Sequence, residues 1–205
     1  EGLQLLDERF LDKPALAMEQ SRTVAKYMAE ASRDCMLEAL SLFQEYKSEL
    51  EDKIVEDENK VDKYEDALGT YLVKLGQKDM SQKDSRDLSV ILHCIGDFER
   101  ISDHGVNIME SAKELHDKDL KFSDKALAEL AVISRAVEDI VKLSYQVFEE
   151  RDYKLAKKVE PLEEIIDELN QELKSRHVNR LREGKCTIEQ GFILSDVLTS
   201  LERIS

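Results

Sequence analysis

Acidic residues recur in this chain in pairs four apart: Glu58 with Asp62, Glu99 with Asp103, and Glu163 with Asp167. Glu202 would open a fourth pair, whose second member would stand at the position after Ser205. Residues four apart on a helix share one face, one turn up. Two carboxylates placed so repel by about a few tenths of a kcal/mol. A chain that repeats this arrangement needs something to neutralise it. A metal ion is one candidate, because carboxylates are hard oxygen donors suited to magnesium, calcium, manganese or ferric iron. Pairs from two neighbouring helices could bridge several ions in one cluster. Basic neighbours such as Arg100 or Lys63 are the other candidate, as plain surface ion pairs. Spacing alone does not choose between them.

The pattern is duplicated as well as periodic. FERIS at 98–102 returns as LERIS at 201–205, 103 residues on. Upstream of each pentad lies another acidic helix segment, ENKVDKYEDAL from Glu58 and EEIIDELNQEL from Glu163. A repeated order of acids at a fixed offset marks an internal duplication. Asn107 continues the row four residues past Asp103 and would offer an amide oxygen. His104 points about 100° away around the helix and could hydrogen-bond a ligating carboxylate from behind.

The elements that must carry these pairs are helices. Apolar residues recur at spacings of three and four, and no segment alternates with period two for long. The spacing predicts six helices, over 15–47, 50–75, 81–116, 125–150, 152–182 and from a Thr187 cap to the end. Pro14, Gly76, Ser123 and Gly184 supply the start and stop signals. The first ten or so residues read as an irregular lead-in. The fold class is all-α: six helices as two tandem three-helix bundles. Residues 1–14 form a lead-in or linker, 15–120 the first repeat and 121–205 the second, cut short at its end. Pro161, just before Glu163, threatens to kink or shift the fifth helix.

Composition excludes several classes. A net charge of -15 repels phosphate backbones and anionic lipid, so nucleic acid is not an expected partner. Three widely spaced cysteines, Cys35, Cys94 and Cys186, form no CxxC pair and read as reduced, core-packing thiols in a cytosolic setting. The longest run without Asp, Glu, Lys or Arg is LSVILHCIG at 88–96, too short to span a bilayer. The chain contains no HExxH, GxxxxGK[ST], GxGxxG or GxSxG, and no cysteine has an evident activating partner. No enzymatic activity is expected.

The string DFERISDHGVNIMESA, with the upstream acids of ENKVD, resembles the signature of the PhoU family. The resemblance covers most of 15–205. It implies two three-helix repeats, each carrying two E(D)xxxD motifs that bind metal clusters. Carried over residue by residue, Glu58, Asp62, Glu99 and Asp103 would serve one cluster, and Glu163, Asp167 and Glu202 a second. Pro161 and the missing final aspartate leave the first the better formed. The expected ions are iron, zinc or manganese. The implied role is control of phosphate uptake. LLDERFLDKPALAMEQSR resembles the segment joining the membrane part of bacterial sodium/phosphate cotransporters to a PhoU-like tail. The expectation is therefore a cytoplasmic regulatory tail held at the inner face of the cell membrane. Its partner would be the transporter's membrane domain or a signalling protein, with a homodimer possible through exposed helix stripes. A stand-alone regulator of an ABC-type phosphate importer and its sensor kinase is the alternative, and a metal-free helical scaffold another.

Overall fold

The computed structural model describes residues 2–205. Two short 3-10 turns, Gly2–Leu5 and Glu8–Phe10, precede seven α-helices among the described residues. They are α1 (Pro14–Ser41), α2 (Ser48–Gly76), α3 (Gln82–Asp117), α4 (Asp124–Glu150), α5 (Tyr153–Ala156), α6 (Val159–Arg182) and α7 (Ile188–Ile204). The all-helical class is as the sequence predicts. The count differs by one, because the predicted fifth helix is two, α5 and α6. Pro161 is the reason. It cannot donate a backbone hydrogen bond, and its ring blocks the carbonyl four residues back. It is tolerated only in a first turn, so α6 begins at Val159 and Pro161 sits in that turn.

Several ends follow local chemistry. Ser123 caps α4 by accepting from the Ala126 amide at 3.2 Å. Thr187 and Gln190 close a reciprocal capping box on α7, which ties down orphan amide groups at the helix start. Helix α1 ends at Ser41 instead of running to Lys47. The Ser41 hydroxyl donates to the Glu38 carbonyl at 2.7 Å, a side-chain bond that competes with the helical ladder. Beyond it Phe43 stacks on Phe122 with ring centroids 6.0 Å apart, and Tyr46 on His116 at 4.0 Å. Aromatic pairs of this kind add about 0.5–1.5 kcal/mol beyond their buried area, enough to hold this segment off the helix axis.

Residue contacts divide the chain into two compact units. One comprises the chain up to Cys35 with Val55–Asp103, the other Met36–Ile54 with His104–Ser205. The repeat boundaries read from the sequence follow a different division, since α1, α2 and α3 each contribute residues to both units.

In the first unit the lead-in is docked. The Tyr71 hydroxyl donates to the Asp7 carbonyl at 3.1 Å, Lys74 pairs with Glu8 at 2.5 Å, and Lys78 with Asp12 at 2.8 Å. Gly2 lies so close to Tyr27 and Tyr64 that a β-carbon there would meet Tyr27 at 2.9 Å. The core is built from Met28, Val61, Leu68, Leu72, Ile91 and Ile95. Each such side chain contributes about 1.5–3 kcal/mol when fully buried. Gly69 meets Ile95 at 3.8 Å and Gly76 meets Leu88 at 3.8 Å. Seven residues forward on α2 match seven back on α3, so the two helices run antiparallel.

In the second unit α4 contributes Ile133, Val137 and Ile140, α6 Ile166, and α7 Val197 and Leu201. Gly191 lies against His177, and the Asn170 amide donates to the Leu198 carbonyl at 2.6 Å. The same seven-for-seven exchange makes α6 and α7 antiparallel. Cys35 is buried, Cys94 and Cys186 are half-buried, and all three are free thiols. No described helix is long and apolar enough to cross a membrane.

Candidate carboxylate site

The antiparallel register of α2 and α3 decides which acids meet. Continuing from the Gly69–Ile95 contact, Glu65 falls opposite Glu99, and Asp62 opposite Ser102 and Asp103. All of these residues belong to the first unit. Burial pushes the Glu58 carboxyl above its usual range, and the charges of Asp103 and Asp62 push it further. Burial likewise raises Glu99, helped by the charge of Asp103, a hydrogen bond the two carboxyls share, and the charges of Glu65 and Asp62. The four acids predicted from the sequence thus share one electrostatic field. Glu58, Glu99 and Asp103 are half-buried, while Asp62 is exposed.

The predicted basic neutralisers do not serve this cluster. Arg100 reaches Asp97 instead, at 3.8 Å. Among the described residues none of Glu58, Asp62, Glu65, Glu99 or Asp103 forms an ion pair with a lysine or arginine. Among the described residues, too, no three His, Cys, Asp or Glu side chains stand close enough to close a coordination shell. Like charges in one field hold one another apart. The donor chemistry nonetheless suits a hard cation: oxygen ligands only, from two facing helices, with protonation favoured in two of them.

Two features of this site went unseen in the sequence. Glu65 is one. It stands three residues after Asp62 and seven after Glu58, on the same helix face, and that spacing was there to be read. The anchoring of the α3 backbone beside Glu99 is the other. The Ser102 hydroxyl donates to the Glu99 carbonyl at 2.7 Å, and the buried Cys35 thiol donates to the Ser102 carbonyl at 3.6 Å. Cys35 lies 67 residues from Ser102, so no local signal marks the pair.

The second acid set has different neighbours. The α6/α7 register, extended one turn beyond Asn170–Leu198, brings Ile166 opposite Glu202, with Asp167 beside it. Glu163 and Asp167 are exposed, as is Glu202. Lys174 pairs with Glu202 at 2.8 Å, so this acid already has a cation. Asn107 turns its amide toward His104 at 3.5 Å.

Comparison with known proteins gives the fold a family. A family model described as "PhoU domain" matches residues 26–112 and 130–205. A curated relative, the phosphate-specific transport system accessory protein PhoU homolog 1 of Thermotoga maritima, is 30% identical over 122 residues, 60% of this chain. That match spans 52% of the relative, about half its length. The crystal structure of PhoU from Pseudomonas aeruginosa superposes with a TM-score of 0.84 at 21% identity, covering 91% of this chain and 88% of that one. The phosphate transport system regulatory protein PhoU from Streptococcus pneumoniae gives 0.82 at 15% identity, covering 93% and 89%. At these identities the two structures speak to the fold alone.

Proposed function

This chain belongs to the PhoU family, and we propose that it is a regulatory domain that adjusts phosphate uptake by binding a transport or signalling protein. The observation that carries the proposal is the α2/α3 carboxylate cluster, set in a fold shared with accessory and regulatory proteins of phosphate transport. Glu58, Asp62, Glu99 and Asp103, with Glu65 alongside, would hold iron, zinc or manganese. A bound cation would supply the positive charge that this cluster lacks. The residues themselves do the rest: α2 presents its acids toward α3, and the buried Cys35 thiol holds the α3 backbone at Ser102, one turn from Glu99. Binding would release the protons that burial favours on Glu58 and Glu99, so occupancy weakens as pH falls. Glu163, Asp167 and Glu202 would form a second, weaker cluster once Glu202 leaves Lys174. No step in this role requires turnover.

In one reading the domain is the cytoplasmic tail of a sodium-dependent phosphate transporter, tethered to the inner face of the membrane. The lead-in, docked onto α2, would then pass strain or position from the membrane part into the first unit. The second reading is a free-standing regulator, favoured by the names of the relatives, which are accessory and regulatory proteins of phosphate transport systems. The coding sequence upstream of Glu1 separates them: membrane segments support the tail, an initiator methionine a few codons away supports the free protein.

The test of the function pairs two assays on wild type and Glu99→Ala/Asp103→Ala. Elemental analysis should find iron, zinc or manganese in the wild type and a large loss in the variant. Phosphate uptake in cells lacking the native gene should come under control with the wild type and not with the variant. Equal metal content in the two proteins would remove the cluster from the proposal. Uptake that ignores both proteins would remove the regulatory role.

A further inference from the structure

The N-terminal part of α7 carries two large apolar side chains in water. Ile188 is 71% exposed and Phe192 is 69% exposed. They are four residues apart, on one face. Exposed apolar residues scattered singly are ordinary. A pair on one helix face, next to a groove, is not scattered.

The internal duplication shows that the fold does not require them. At the offset set by the two ERIS pentads, their counterparts on α3 are Ser85 and Ser89, both exposed. The first repeat builds the same helix with hydroxyls at these positions. The second places isoleucine and phenylalanine there, at a cost in solubility and with no gain in core packing.

The same stripe of α7 leads into a polar groove. Within the second unit α3 and α7 run antiparallel, Lys118 pairing with Glu189 at 2.5 Å. One turn beyond Phe192 they border a cavity of about 350 Å³ lined by Glu110, Ser111, Glu114, Asp196, Ser200 and Arg203 among others. Ser200 is 7% exposed and lies along this cavity. Glu110 and Asp196 form no ion pair among the described residues, whereas Glu114 is already paired with Lys118 at 2.7 Å. The surface therefore runs from an apolar step, past Glu110, Asp196 and Arg203, to the hydroxyls of Ser111 and Ser200.

We propose that this α3/α7 groove and the Ile188/Phe192 step beside it dock a helical segment of a partner protein that carries apolar side chains flanked by lysine or arginine. Charge complementarity selects the basic flank: a chain of net charge -15 whose groove sets Glu110, Glu114 and Asp196 against one arginine, Arg203, attracts cations and repels acidic segments. Geometry selects a helix, because two antiparallel helices leave a trough that a third fills by apolar anchors one turn apart. The proposal rests on reading the chain as a regulatory domain, and it places the partner's contact within the second unit.

The test uses the full chain and Ile188→Ser/Phe192→Ser, which copies the first repeat's residues. The probe is a synthetic helical peptide with leucines one turn apart and lysines on both flanks. We expect the variant to keep the wild-type melting temperature within about 2 °C and its metal content, while peptide affinity falls about tenfold or more. Glu110→Gln/Asp196→Asn should weaken the same peptide and reduce the salt dependence of its binding. In cells the serine variant should lose control of phosphate uptake with metal retained. Equal peptide affinity in wild type and the serine variant overturns the proposal. So does a melting temperature several degrees lower, which would make the pair a packing element. Loss of metal together with uptake control would instead trace the defect to the carboxylate cluster. Should wild-type protein exert no control of uptake, the regulatory reading falls and the peptide arm still decides the docking surface.

Discussion

The acids of α2 and α3 and those of α6 and α7 descend from one duplicated pattern, yet they meet different surroundings. In the first set Glu58 and Glu99 are half-buried, Glu58 feels the charge of Asp103 and Glu99 that of Asp62 across an antiparallel pair, and neither has a basic partner among the described residues. In the second, Glu163 and Asp167 lie in solvent, and Lys174 holds Glu202. A motif at a given spacing thus specifies which helix face carries charge. Whether that charge is compensated depends on a residue two turns away on another helix. Burial sharpens the contrast, since repulsion between carboxylates grows as water is excluded.

The largest test of this comparison is metal content. Glu99→Ala/Asp103→Ala should lose most of the bound ion, about tenfold or more in affinity if several ligands act together. Asp167→Ala should change it far less, as read by elemental analysis of each protein. Equal losses would mean that the two sets are equivalent after all.

Helix packing gives the next contrast. A β-carbon at Gly191 would stand 2.5 Å from the His177 imidazole, whereas at Gly69 the nearest atom, on Ile95, is at 3.8 Å. Gly191→Ala should destabilise the protein by about 1–3 kcal/mol through overpacking. Gly69→Ala should be neutral or stabilise it by up to about 1 kcal/mol, because alanine suits a helix interior better. Chemical denaturation of both variants measures the difference, and matching signs would contradict the register assigned to one of the helix pairs.

A smaller effect is expected from Lys174→Met. Freed from its lysine, Glu202 should let the second set take up additional ion by about threefold, the scale of one exposed ion pair. A titration with manganese that showed no gain would leave Lys174 as a bystander.

The smallest effect is in pH. Glu58 and Glu99 are raised in the folded protein, so there they bind protons more tightly than in the unfolded chain. Stability of the metal-free protein therefore falls as pH rises through the range just above the ordinary glutamate value of 4.5. The gain on acidification ends where groups of the opposite kind begin to titrate, such as Glu51, lowered by its hydrogen bonds from Lys113 and Tyr46. Glu99→Gln should flatten this dependence and stabilise the metal-free protein near neutral pH by about a few tenths of a kcal/mol. Thermal melts across pH, with chelator present, would show whether the slope changes.

Much of the fold was legible. Apolar spacing located all the long helices, and Ser123 and Thr187 marked their starts, because caps are local chemistry. Glu58, Asp62, Glu99 and Asp103 were legible as a set because duplication repeats them. Three things were not. Pro161 signalled a disturbance of the fifth helix, but not that it would become two, with the second starting at Val159. The early end of α1 depended on the stacking of Phe43 and Tyr46 against residues some seventy positions away. Glu65 was visible on the right face, but only the pairing of α2 with α3 set it against Glu99.

Helix periodicity, caps, the duplication and the placement of acids on particular faces all arise within a turn or two of chain, and the sequence alone determined them. Which acids are buried together, which one receives a lysine, how the lead-in docks, and which apolar residues remain in water depend on contacts between distant segments. Their energies come from burial and mutual charge, which exist only once the helices have packed, and so the tertiary structure alone decided them.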